Sequence, residues 1–159
     1  MAQFSRVMQE QTTDELRAIV ADNAAAPEFA LLAWRLSETA ESRAEAREIC
    51  FRGLAKNPHD TLGRLALARL FYLDGLGEFC LRELVELKKY SKAETIDKLL
   101  ASFGDYAAPF LRQHHPRAAE TFPGEEAEAV HSDPPTAEEE KVVADIDLDF
   151  DEALADLEK

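Results

Sequence analysis

Four histidines and two cysteines are the first residues to weigh for chemistry: His59, His114, His115 and His131, with Cys50 and Cys80. Their spacing matches no zinc ligand set, and the cysteines are not paired as CxxC. His114-His115-Pro116 reads as a polar helix end. Both cysteines sit inside apolar helical patterns, where reduced core residues are expected. There is no glycine-rich phosphate loop and no GxSxG nucleophile elbow. Carboxylates are abundant, but they fall on polar faces or in the C-terminal tail. The sequence therefore offers no catalytic residue, cofactor site or metal site, and a non-enzymatic role is expected.

The second chemistry is recognition, and the C-terminal end is built for it. Residues 144–157, ADIDLDFDEALADL, interleave acidic and apolar side chains. Read as a helix, Val143, Ile146, Phe150, Ala153, Leu154 and Leu157 share one stripe. Read as a strand, Ile146, Leu148 and Phe150 share one face. Either form suits an apolar groove with a basic rim. Residues 142–159 are accordingly expected to be a docking motif carried by Ile146, Leu148, Phe150, Leu154 and Leu157. The plainer alternative is a disordered terminus whose apolar residues do little.

Charge supports this division. The net charge is −14 over 159 residues. Residues 1–124 hold 16 Lys+Arg against 18 Asp+Glu, whereas residues 125–159 hold 2 against 14. A body this close to neutral lacks the basic footprint that nucleic acid requires. It also lacks the attraction needed for an anionic membrane surface. No stretch approaches the roughly 20 apolar residues of a membrane span. The N-terminal MAQFSRVMQEQTTDE has neither a basic start nor an apolar block, so a cytoplasmic location is expected.

The elements that must position these residues are helices. Thr12-Thr13-Asp14-Glu15, Ser42-Arg43-Ala44-Glu45 and Ser91-Lys92-Ala93-Glu94 each read as a capping box. Asp60 is placed to cap a helix beginning at Thr61, and Pro27 suits a first turn. Asp74-Gly75 and Asn57-Pro58 mark breaks. These signals predict helices over 13–22, 27–39, 43–56, 61–73, 78–90 and 92–103. Their apolar residues recur at helical spacing, as in Phe29, Leu32, Ala33 and Leu36. The body is expected to be all-α. Further boxes at Thr136–Glu139 and Asp149–Glu152 are readable in the tail.

Residues 26–60 and 61–94 can be laid over each other as helix, turn, helix. In the second unit, Leu67, Ala68, Phe71, Gly75, Cys80, Leu84 and Leu87 fall at the large, small, aromatic, turn, small, large and small positions of a tetratricopeptide repeat, with only Leu87 departing. In the first unit, Phe29, Leu32, Ala33, Leu36, Ala46, Cys50, Gly53 and Pro58 match. That register needs one extra residue in the turn Ser37–Ser42; without it, Trp34 would occupy the small crossing position. The second unit ends in Lys92 rather than proline. On these residues the chain resembles the tetratricopeptide repeat family over roughly 13–104, with helix 13–22 as a truncated repeat and helix 92–103 as a cap.

The resemblance implies a short helical-hairpin array whose concave face binds another polypeptide. In the family this face is lined by the first helix of each unit. Carried onto this chain, it implies Trp34, Leu62, Leu65, Arg69, Tyr72 and Lys98 as a groove for an acidic, apolar peptide. The expected organisation is a repeat domain of two full units with flanking helices over 1–120, a flexible acidic linker over 121–141 and the acidic, apolar docking motif over 142–159, the C-terminal tail as a whole being expected to be largely disordered. The role expected is an adaptor or scaffold, with the tail able to occupy the groove of its own chain or of a second copy. An alternative is a small acidic secretion or assembly chaperone that dimerises through Phe4, Val7 and Met8. Self-association fits either role, since two units are few for a stack that must bury its own faces.

Overall fold

Helix formation begins where the sequence supplies an acceptor for free backbone N–H groups. Thr12 Oγ1 accepts from Glu15 N, and the Glu15 carboxylate accepts from Thr12 N at 2.7 Å, closing the first capping box. Asp60 Oδ1 accepts from Gly63 N at 2.6 Å. The computed structural model describes residues 11–103 and 137–157, with the side chains of the last helix described from Ile146. The described residues form seven α-helices and no strand: α1 (Thr13–Asp22), α2 (Glu28–Leu36), α3 (Arg43–Lys56), α4 (Thr61–Leu73), α5 (Gly77–Tyr90), α6 (Glu94–Ser102) and α7 (Ala137–Leu157). The all-α expectation holds. Residues 1–10 with Phe4, Val7 and Met8, the segment 104–136 with its three histidines, and the Thr136 cap lie outside the described residues.

Two capping boxes are not made. Ser42 ends a 3-10 turn (Ala40–Ser42) with φ −92° and ψ −8°. A capping hydroxyl needs extended backbone to reach the following N–H groups, so Ser42 makes no cap and Glu45 pairs with Arg17 at 2.9 Å. Ser91 closes α5, and its hydroxyl accepts from Ala93 N instead, which moves the start of α6 to Glu94. The box expected at Asp149–Glu152 lies in the middle of α7. That helix begins at Ala137, inside the segment expected to be linker.

Short connections lay consecutive helices back to back. In α2 and α3, Phe29 meets Gly53 at one end, and Arg43 donates to the Ser37 carbonyl at the other, so the two run antiparallel. The α4–α5 pair is antiparallel too: Arg64 holds Glu83 at 2.9 Å, and the Phe71 and Phe79 rings lie 5.4 Å apart. Between the pairs, α2 and α4 run parallel, since Phe29 faces Gly63 and Trp34 faces Arg69. Gly75 makes the α4–α5 turn at φ +73°, a left-handed conformation with no penalty for glycine. Arg47 fastens that corner to α3 through Asp74 at 2.6 Å.

The core is continuous from Leu16 in α1 to Phe103 after α6, and it takes in Ile146, Phe150 and Ala153 of α7. Cys50 and Cys80 are free and buried within it, and burial pushes both thiols well above their ordinary range. At its centre Phe29 is clamped by two glycines. A Cβ added at Gly53 would lie 2.5 Å from the ring, and one at Gly63 would lie 2.4 Å from it.

Alanine in place of an interior helical glycine ordinarily adds about 0.5–1 kcal/mol of stability. Here the sign reverses. Gly53→Ala and Gly63→Ala are each expected to cost about 1–3 kcal/mol by overpacking. Urea unfolding measures this, and Phe29→Leu should recover part of the loss. Stabilisation by either alanine would contradict the clamp.

Candidate functional site

The candidate site is the face formed by α4 and α6, and α7 lies across it. Along α6, Thr95, Lys98 and Ser102 recur at three- and four-residue intervals and so share one face. Thr95 Oγ1 donates to Asp156 at 3.0 Å, and Lys98 Nζ donates to Glu152 at 2.6 Å and pairs with Asp149 at 3.2 Å. Ser102 Oγ donates to Asp149. Partner numbers fall along α7 as they rise along α6, so the two helices run antiparallel.

Beside this polar ladder runs an apolar seam. Phe150 is fully buried, with its ring 5.6 Å from Tyr72 of α4 and 6.4 Å from Phe103. Tyr72 and Phe103 meet edge to face at 5.7 Å, which closes a three-ring cluster. Ile146 and Ala153 are buried in the same seam, and Leu154 and Leu157 pack against it in part.

Helical geometry sorts the remaining residues of α7. At 3.6 residues per turn, Ile146, Phe150, Ala153 and Leu157 cluster on one side, while Asp149, Glu152 and Asp156 border one edge. Asp147 and Asp151 border the other edge, and both act electrostatically on Arg69 of α4. Burial lowers the Arg69 pKa from its usual value, and Asp151, Asp147 and Glu38 oppose that shift. The Asp147 Oδ1 atom is enclosed without a hydrogen-bond partner among the described residues. Lys98 shifts the other way: bonds to Glu152 and then Asp149 raise its pKa above that of a free lysine.

Asp149 is 7% exposed. A carboxylate removed from water must be paired or it is strongly destabilising. Lys98 and Ser102 supply that pairing, so the polar ladder is a condition for seating α7 in this register.

The expected groove residues divide into two groups. Tyr72 and Lys98 contact α7 directly, and Arg69 lies within its electrostatic reach. Leu65 and Trp34 are closed off from solvent with α7 in place, and Leu62 packs partly against the core. Trp34 is 3% exposed and lies under the Arg69 guanidinium, 4.5 Å from the ring centre. Arg69 is fixed there by donating to Ser37 Oγ. Trp34 is thus a seat for Arg69 and is itself covered.

In the tail, Ile146 and Phe150 are anchors, but Leu148 is 63% exposed and corrects the expectation that it docks. It shared a face with its neighbours only in the strand reading, and the segment is helical. Sequence reading missed Thr95, Ser102 and Phe103. Nothing local in the sequence marked the two hydroxyls as partners for the tail.

Among the described residues, no group of three or more His, Cys, Asp or Glu side chains is placed to hold a metal ion. Nor is any helix there long and apolar enough to cross a membrane. Comparison of the chain with family models, with curated proteins and with solved structures gives no match.

Phe150→Ala is expected to weaken the seating of α7 by about 3 kcal/mol, the cost of truncating a buried aromatic. Amide hydrogen exchange across residues 146–157 should accelerate accordingly. Leu148→Ala should change it by no more than about 0.5 kcal/mol, as for an exposed position. Equal effects from the two substitutions would contradict the seam.

Proposed function

We propose that this chain is a non-enzymatic adaptor of the tetratricopeptide type that binds a partner polypeptide on the face formed by α4 and α6. The observation that carries this reading is the burial of Phe150 of α7 between Tyr72 and Phe103, flanked by the bonds from Lys98. A surface that receives one amphipathic helix has the shape and chemistry to receive another.

The antiparallel pairs α2–α3 and α4–α5, with α2 parallel to α4, support the repeat reading. Small residues fall where that register needs them, with Ala46, Cys50, Ala68 and Cys80 all fully buried. In this account α7 is a resident occupant, and partner binding requires its displacement. Occupation in cis lowers the apparent affinity for any partner by the fraction of time the face is open.

Removal of residues 142–159 tests the proposal. The truncated chain is expected to bind an added 142–159 peptide saturably, and the full chain to bind it at least about tenfold more weakly because its own helix competes. No saturable binding by the truncated chain, at high peptide concentration and low salt, would overturn the reading.

A further inference from the structure

The polar contacts of α7 specify more than that a helix docks. They specify its charge, its spacing and its direction. Among the described residues, the hydrogen bonds from α6 to α7 go to carboxylates, at 149, 152 and 156. Their partners, Lys98, Thr95 and Ser102, all donate. On the α4 side stands Arg69, with Asp147 and Asp151 in its field. The apolar anchors at 146, 150 and 153 run between these two acidic edges.

We infer that the partner is an acidic amphipathic helix of the same pattern as α7, lying antiparallel to α6. It carries an aromatic anchor, a carboxylate immediately before that anchor, and further carboxylates three and seven residues after the first. This inference rests on the proposal that the α4–α6 face is a docking surface, and it adds the chemistry of what docks there.

The pattern has a physical basis. A carboxylate in the place of Asp149 is nearly buried on docking, so a helix with an apolar residue there would leave Lys98 and Ser102 without that acceptor. A helix with lysine there would set cation against cation. A reversed helix would move its acids off the donors, so direction is selected together with charge. Arg69 is held from below by Trp34 and Ser37 and is therefore pre-positioned for the second acidic edge.

The test uses the full chain carrying Phe150→Asp, which removes the anchor of the resident helix and leaves the sequence of α1 to α6 unchanged. Two labelled peptides serve as probes. One is the natural 137–159 segment, and the other is the same segment with Asp149→Lys and Glu152→Lys, whose apolar stripe is intact. Both are titrated into the Phe150→Asp chain and into a Phe150→Asp, Lys98→Glu chain, with helix content checked by circular dichroism.

The natural peptide is expected to bind the first chain at least about tenfold more tightly than the reversed peptide does. Lys98→Glu should weaken the natural peptide and strengthen the reversed one. Lys98→Gln, which only neutralises, should fall between. Equal binding of both peptides to the Phe150→Asp chain would overturn the inference and leave the docking face standing. Binding of neither would overturn the docking face as well.

Discussion

A helix with one apolar stripe has to bury that stripe against a neighbour. α6 faces this problem here. Ile96 and Leu99 are fully buried and Phe103 nearly so, with α7 lying alongside α6 to close the stack. The three-ring contact of Tyr72, Phe103 and Phe150 is where that closure is made. The same contact has two consequences that pull against each other. It completes the core at α6, and it covers the face on which recognition is proposed.

Electrostatics sets the register of that closure. Apolar stripes alone allow a helix to slide or reverse at modest cost, whereas a nearly buried carboxylate tolerates only a position where donors meet it. Asp149 is such a group, and Lys98 and Ser102 are such donors. Part of the strong negative charge of residues 125–159, that of Asp149, Glu152 and Asp156, thus has a local structural use. Arg69 illustrates the same economy on α4. Its guanidinium stacks on Trp34 and bonds Ser37, which keeps a long flexible side chain in place beside the acids of α7.

Much of the fold was legible in the sequence, and the reasons are local. The cap at Thr12, the cap at Asp60 and the turn at Gly75 depend on a few adjacent residues, so the boundaries drawn from them agree with the structure. Ser42 and Ser91 misled because a capping hydroxyl depends on its own backbone angles, which the preceding turn or helix had already fixed. Helix α2 stops at Leu36, short of the expected position 39, for a related reason: the chain must turn into the Ala40–Ser42 segment. At the site, the anchors Ile146 and Phe150 were legible from periodicity. Leu148 was not, since it shares a face with Ile146 and Phe150 only in a strand, and three alternating residues suggested a strand where the chain is helical to Leu157. Thr95 and Ser102 were invisible because their partners lie 61 and 47 residues away. Trp34 was legible as important, but its cover by Arg69 is a contact between helices that no local pattern records.

The seating of α7 depends on Phe150 lying between Tyr72 and Phe103 in the intact chain in solution. The most direct measurement is a nuclear Overhauser spectrum of the full chain with its aromatic residues isotopically labelled. The account predicts cross-peaks from the Phe150 ring to both the Tyr72 and Phe103 rings, lost on Phe150→Ala. Random-coil chemical shifts across residues 146–157, with no cross-peak from Phe150 to either ring, would contradict it.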